Sequence, residues 1–156
     1  MSTGDIPDFL RALVRKRAKY LCEYCLIHEK DTGYRHRIRP SHIDHVIARK
    51  HGGATHEDNL ALACAPCSQH KGTNIASIVL ETGDLIRLFN PRSDRWRDHF
   101  CLSPDGITIV ALTPIGEATC RILGMNDTTR LLERKALRQV GRYPTPAARR
   151  RLSGPD

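Results

Sequence analysis

The chain has 156 residues, enough for one domain with a modest core or for a domain with an appended second layer. Its 25 Lys+Arg against 17 Asp+Glu give a net charge of +8, with few aromatics to fill an interior. A basic excess carried mainly by arginine fits a polyanionic partner, and no apolar stretch is long enough for a helix to cross a bilayer.

The opening "MSTGDIPDFLRALVRKRAKY" lacks the uninterrupted apolar run of a secretory leader. The expected location is therefore the cytoplasm, where six cysteines are thiols or metal ligands rather than disulfides.

In chain order, residues from Asp5 to Tyr20 predict a helix. Pro7 suits its first turn, and Leu10, Leu13, Val14, Ala18 and Leu21 recur near helical spacing. The opposite face carries Arg11, Arg15, Lys16, Arg17 and Lys19, either solvated or laid along a phosphate backbone. The knuckle "LCEYC" follows, then a polar connection with Gly33 and several arginines. Pro40 introduces an extended stretch from Ser41 to Ile47, and "RKHGGATHEDN" reads as a loop. Leu60 and Leu62 precede a second knuckle, "CAPC", after which "SQHKG" starts a short helix that Gly72 ends.

The second half reads as a cover layer. Asp84 to Phe89 predicts a strand, and "HFCLSPDGITIVAL" a hairpin turning at Pro104, Asp105 and Gly106. Thr113 and Pro114 start a helix that Gly124 ends. Asn126 or Asp127 caps a last helix, with Leu132, Ala136 and Val140 on one side and Gly141 as its stop. Cys101 and Cys120, among apolar neighbours, read as small buried hydrophobes. Trp96, beside Arg95, Arg97 and His99, reads as core rather than as a platform for a base. The expected division is 1–82 for the main unit with its N-terminal helix, 83–142 for the strand, hairpin and helices covering it, and 143–156 for a basic disordered tail.

The chemistry concentrates between the knuckles. Cys22, Cys25, Cys64 and Cys67 supply four soft thiolates, the ligand set of a closed tetrahedral zinc site, with all positions filled by protein. Such a zinc is scaffold. Between the pairs lie Asp44 and His45, then Gly52 and Gly53, then Asn59.

This order resembles the HNH endonuclease family: Cys-x-x-Cys, "HIDHV", "HGGATHEDNLALAC", then Cys-x-x-Cys with "HKG", over about Arg17 to Ile78. The resemblance implies an α+β fold with a small ββα-metal, treble-clef-like core stapled by the zinc, and a C-terminal hairpin plus helices. It implies His45 as general base, Asp44 as ligand of a catalytic Mg²⁺ or other divalent cation, and Asn59 as the residue that holds the loop and orients the base. The position after the second knuckle, normally His or Asn as a metal ligand, is Ser68 here. His70 stands as a second uncertain ligand, though residues two apart on a helix do not share a face. Arg49 and Lys71 are expected phosphate contacts, and His42 shares the strand face of Asp44.

The expected activity is metal-dependent hydrolysis of phosphodiester bonds in nucleic acid, with DNA as the expected substrate. The rival reading, for which Ser68 speaks, is a zinc-stabilised nucleic-acid-binding module with weak or lapsed catalysis. A metal-binding protein-interaction module, its basic face incidental, is a third. Nothing in the sequence specifies an oligomer.

Overall fold

A computed structural model describes residues 6–32 and 41–153. The helix start expected at Asp5, and the connection with Gly33 and Pro40, lie outside the described residues. Helix α1 spans Asp8–Arg17 with Pro7 at its N-cap, so it ends before the expected Tyr20. The chain reverses there through Lys19 and Tyr20, both in the left-handed region at φ 56° and 62°.

Strands β1 (His42–His45) and β2 (Leu60–Ala63) pair antiparallel, with His42 opposite Ala63 and His45 opposite Leu60. Two strands of four residues are marginal in water. Here β2 is buried along its whole length, and Val14 of α1 and Ala18 just past its end pack with Ile43, Leu60 and Leu62. Each such side chain removed from water contributes about 1.5–3 kcal/mol, which is what holds the hairpin. Between the strands, 3-10 turns at Arg49–His51 and Glu57–Asn59 shape the segment expected as a loop. Helix α2 (Ala65–Lys71) follows at once, beginning inside the second knuckle and ending at Gly72.

Strand β3 (Ala76–Ile78), which sequence reasoning missed, pairs with β4 (Leu85–Arg87). A short helix α3 (Trp96–His99) leads into the predicted hairpin, β5 (Phe100–Leu102) and β6 (Ile109–Ala111). Helix α4 (Pro114–Leu123) is capped as expected: Thr113 accepts from Gly116 N–H, and Gly124 closes it in the left-handed conformation. Helix α5 (Thr128–Gln139) follows Asp127. The fold is α+β, with mixed helices and small antiparallel strand pairs around the clustered cysteines.

In α5 the side with Leu132, Ala136 and, at the C-cap, Val140 faces solvent, while Arg130, Arg134 and Leu137 are buried. Polar partners inside decide this: Arg134 reaches Met125 O at 2.8 Å and Asn126 Oδ1 at 3.0 Å, and also donates to Ile107 O. One expectation needs correction, that of a disordered tail. Residues Pro146–Ser153 form helix α6, with Ala148 fully buried and the Tyr143 hydroxyl donating to Cys25 O at 2.9 Å.

One apolar cluster unites the knuckles with the second half, from Leu21 and Cys67 to Phe100, Leu123, Tyr143 and Ala148. Trp96 belongs to it, 3% exposed, with its ring on Phe100. Cys101 and Cys120 are only half-buried, and burial pushes the Cys120 thiol up to about 11. Among the described residues, no helix is long and apolar enough to cross a membrane.

Candidate functional site

Two local turns deliver the four sulfurs. At the first, Leu26 N–H bonds Cys22 O at 2.9 Å and Cys22 N–H bonds Ile27 O at 2.8 Å, which needs Leu26 at φ 66°. That conformation costs about 1–3 kcal/mol for a residue with a side chain and is held because Leu26 is buried. At the second, Cys64 is the N-cap of α2 and Cys67 lies in its first turn, where Pro66 is tolerated.

All four sulfurs lie within 4.8 Å of one another, and Cys25 Sγ is 3.7 Å from Cys64 Sγ. A tetrahedron with metal–sulfur bonds of about 2.3 Å has edges of about 3.8 Å, so the donors already stand at zinc spacing. They are soft, fully buried and four in number, a set that fits zinc and leaves no open coordination position.

Four thiolates on a divalent ion carry a net negative charge into a dry interior, which is costly unless compensated. Arg130 supplies the compensation. Its Nη2 lies 3.0 Å from Cys25 Sγ, 3.3 Å from Cys64 Sγ and 4.0 Å from Cys67 Sγ. The backbone around the sulfurs is braced as well. Trp96 Nε1 donates to Tyr24 O at 2.8 Å, and Glu23 accepts from Leu62 N–H at 3.0 Å while pairing with Arg92.

The scaffold presents β1 and its loop. His42 and Asp44 alternate onto one face, where the Asp44 carboxylate lies near the Ser68 hydroxyl and feels Lys71 and His42. Burial nevertheless raises Asp44 from its ordinary value. Burial, then the charge of Arg49, lowers His45, which favours a neutral imidazole. His45 Nε2 lies 2.8 Å from Thr55 Oγ1.

Asn59 fixes the loop that carries Thr55. Its Oδ1 accepts from Ile47 N–H at 2.9 Å, and its Nδ2 donates to Ile47 O and Ala54 O, both at 2.9 Å. Gly53 lets those backbones meet, since a Cβ there would lie 1.7 Å from Ile47 O.

The sequence-predicted residues are thus brought together in part. Asp44 meets Ser68, and His45 is its chain neighbour. His70 goes elsewhere, packing against Gly124, where an added Cβ would lie 2.8 Å from His70 Nδ1. Two positions along a helix turn the side chain to another face. Lys71, expected at a phosphate, is 2% exposed, and its Nζ donates inward to His45 O at 3.3 Å. Arg49 stands exposed at the start of its 3-10 turn. Sequence reasoning missed Thr55 and Arg130. Thr55 carried only the weak signal of a hydroxyl between Gly53 and Asn59, and Arg130 carried none.

Residues 22–74 match a family model described as HNH endonuclease. The match opens on Cys22 and closes just past α2, so it takes in both knuckles, the β1–β2 hairpin and its loop. By it, this segment carries an HNH domain. No match was found among curated proteins or among solved structures.

Proposed function

We propose that the domain is a metal-dependent endonuclease that hydrolyses phosphodiester bonds in nucleic acid, with DNA as substrate and zinc as its structural staple. The observation that carries this reading is the pairing of a loop-held imidazole, His45 on Thr55, with an adjoining partly buried carboxylate, Asp44, at the next position back along β1.

In this reading Nε2–H of His45 donates to Thr55, which leaves Nδ1 with a free lone pair to take a proton from water. Asn59 acts through the loop: by fixing Ile47 and Ala54 it keeps Thr55, and so the ring, in one place before reaction begins. Asp44 would hold the catalytic cation, with the Ser68 hydroxyl alongside and water completing the shell, as Mg²⁺ tolerates. When bound, that cation polarises the phosphate and stabilises the leaving oxygen. Lys71 supports β1 through the His45 carbonyl and adds positive charge near Asp44. Arg49 contacts a phosphate beside the scissile one.

Ser68 favours a second reading, a nucleic-acid-binding module without cleavage, because its hydroxyl is a weaker ligand than the family's usual His or Asn. Supercoiled plasmid incubated with Mg²⁺, Mn²⁺ or EDTA separates the two. Metal-dependent nicking that disappears in His45→Ala and Asp44→Asn is the expected result. Salt-sensitive binding with no nicking in any metal would install the second reading instead.

A further inference from the structure

A cleft of about 500 Å³ is lined by Arg17, Lys19, Arg92, Arg95, Arg150 and Arg151 and by none of the cysteines or of Asp44, His45 and Ser68. These residues come from the end of α1, the segment before α3, and α6. Six cations converge because α6, anchored by the buried Ala148, brings its two arginines to the basic end of α1.

Little of this charge is spent within the protein. Two carboxylates also line the cleft, but Asp94 is committed to Arg87 through bonds of 2.6 and 2.9 Å, and Asp58 is highly exposed beside His56. Lys19, Arg95, Arg150 and Arg151 make no ion pair among the described residues. Arg17 and Arg92 each keep a buried Nε–H that has no acceptor among the described residues. Arg92 is otherwise held by Glu23, and Arg17 Nη2 donates to Leu60 O at 2.8 Å. These two guanidinium groups are therefore fixed in place.

We infer that this cleft is a second nucleic-acid contact, taking the phosphodiester backbone of the strand whose cleavage is proposed above. It rests on that reading for the identity of the polyanion. Charge matches phosphate, and arginine offers a planar fork to its oxygens. The aromatic residues at the cleft, Phe89 and Trp96, are 2% and 3% exposed, so they offer no face for base stacking. Contact is thus with the backbone and independent of sequence. The cleft also adjoins the catalytic strand: Leu60, which accepts from Arg17, sits opposite His45 in the β1–β2 ladder.

The test is binding of a labelled mixed-sequence duplex with no divalent cation added and the structural zinc left in place, across a range of salt. Three proteins are compared: wild type, Arg95→Ala/Arg150→Ala/Arg151→Ala, and Lys30→Ala/Lys135→Ala/Arg138→Ala, which loses equal charge away from the cleft. Each phosphate contact removed lowers the slope of log K against log salt by about 0.9, so the cleft variant should lose about two to three in slope and at least tenfold in affinity at low salt. The control variant should change much less. Equal losses in both variants overturn the inference, and so does displacement of the duplex by inorganic phosphate or a mononucleotide at comparable concentration. Plasmid nicking with His45→Ala is scored in parallel. Nicking by wild type with unchanged binding in the cleft variant sinks the cleft alone, whereas binding lost in that variant with no nicking by wild type sinks the nuclease reading alone.

Discussion

Asn59 and Ile47 exchange two hydrogen bonds, Ile47 N–H to Asn59 Oδ1 and Asn59 Nδ2 to Ile47 O, both at 2.9 Å. An amide side chain that pairs with a peptide in this way replaces a rung of the ladder just beyond β1 and closes the loop carrying Thr55. Asn59→Ala removes both bonds and the one to Ala54 O, at a cost of about 1–3 kcal/mol. Gly53→Ala should act on the same loop by collision with Ile47 O. Both variants should lose about a hundredfold in nicking rate while keeping their zinc, because neither residue touches a cysteine. Metal analysis beside single-turnover nicking checks this, and zinc loss in either variant would mean the loop and the staple are not separable.

Arg130 makes a different prediction, about the staple itself. In Arg130→Met the thiolates lose their buried counter-charge, and zinc should pass to a colorimetric chelator about ten- to a hundredfold faster. Arg130→Lys should recover part of the retention, since it restores charge without the planar fork. Transfer at the wild-type rate in both would show that the guanidinium only fills space. Complete removal of zinc should unfold the knuckles, as a site of this type supplies about 10 kcal/mol or more of apparent folding free energy.

How far the sequence could be read follows from where each residue's partner lies. The knuckles, the β5–β6 hairpin and the caps at Thr113 and Gly124 are written locally, in spacings and turn residues, and each is found where expected. The HNH segment was legible because the order of Asp44, His45 and Asn59 within the cysteine frame resembles that family, whose model matches residues 22–74. Arg130, Arg134 and the docking of Tyr143 ahead of α6 were not legible, because they depend on sulfurs and carbonyls 27 to 118 residues away that converge only after folding. The apolar stripe of Leu132, Ala136 and Val140 faces solvent for the same reason. Periodicity reports which face is greasy, and in α5 buried thiolates and carbonyls decide which face turns inward.

That reversal can be measured directly. Leu132→Ser and Val140→Ser should shift stability by no more than about 0.5 kcal/mol, since both side chains are already more than half exposed. Leu137→Ala, on the buried face, should cost about 2–5 kcal/mol. Urea midpoints with zinc in excess make the comparison, and the opposite ranking would return the helix to the orientation its hydrophobic pattern suggests.

The pH dependence of stability should carry a mark of Asp94. Partial burial works against its ionisation, but the Arg87 fork and Asn90 N–H outweigh it and hold the carboxyl below its ordinary 3.8. A carboxyl depressed by folding contributes stability that is fully present above the unfolded value and is lost as pH falls through the lower folded one. The stability gap between wild type and Asp94→Asn should therefore stay constant from neutral pH to about pH 5 and close below 3.8. Protonation of the cysteines in acid affects both proteins alike, so the gap isolates the carboxylate. A carboxyl-carbon titration of Asp94 by NMR should show its midpoint under 3.8, and a midpoint above that value would refute the assignment. Because Asp94 also accepts from Asn90 N–H, it shapes the turn that presents Arg92 and Arg95 to the cleft. Asp94→Asn should accordingly weaken duplex binding at neutral pH even though it removes a negative charge, a sign opposite to that expected from electrostatics alone.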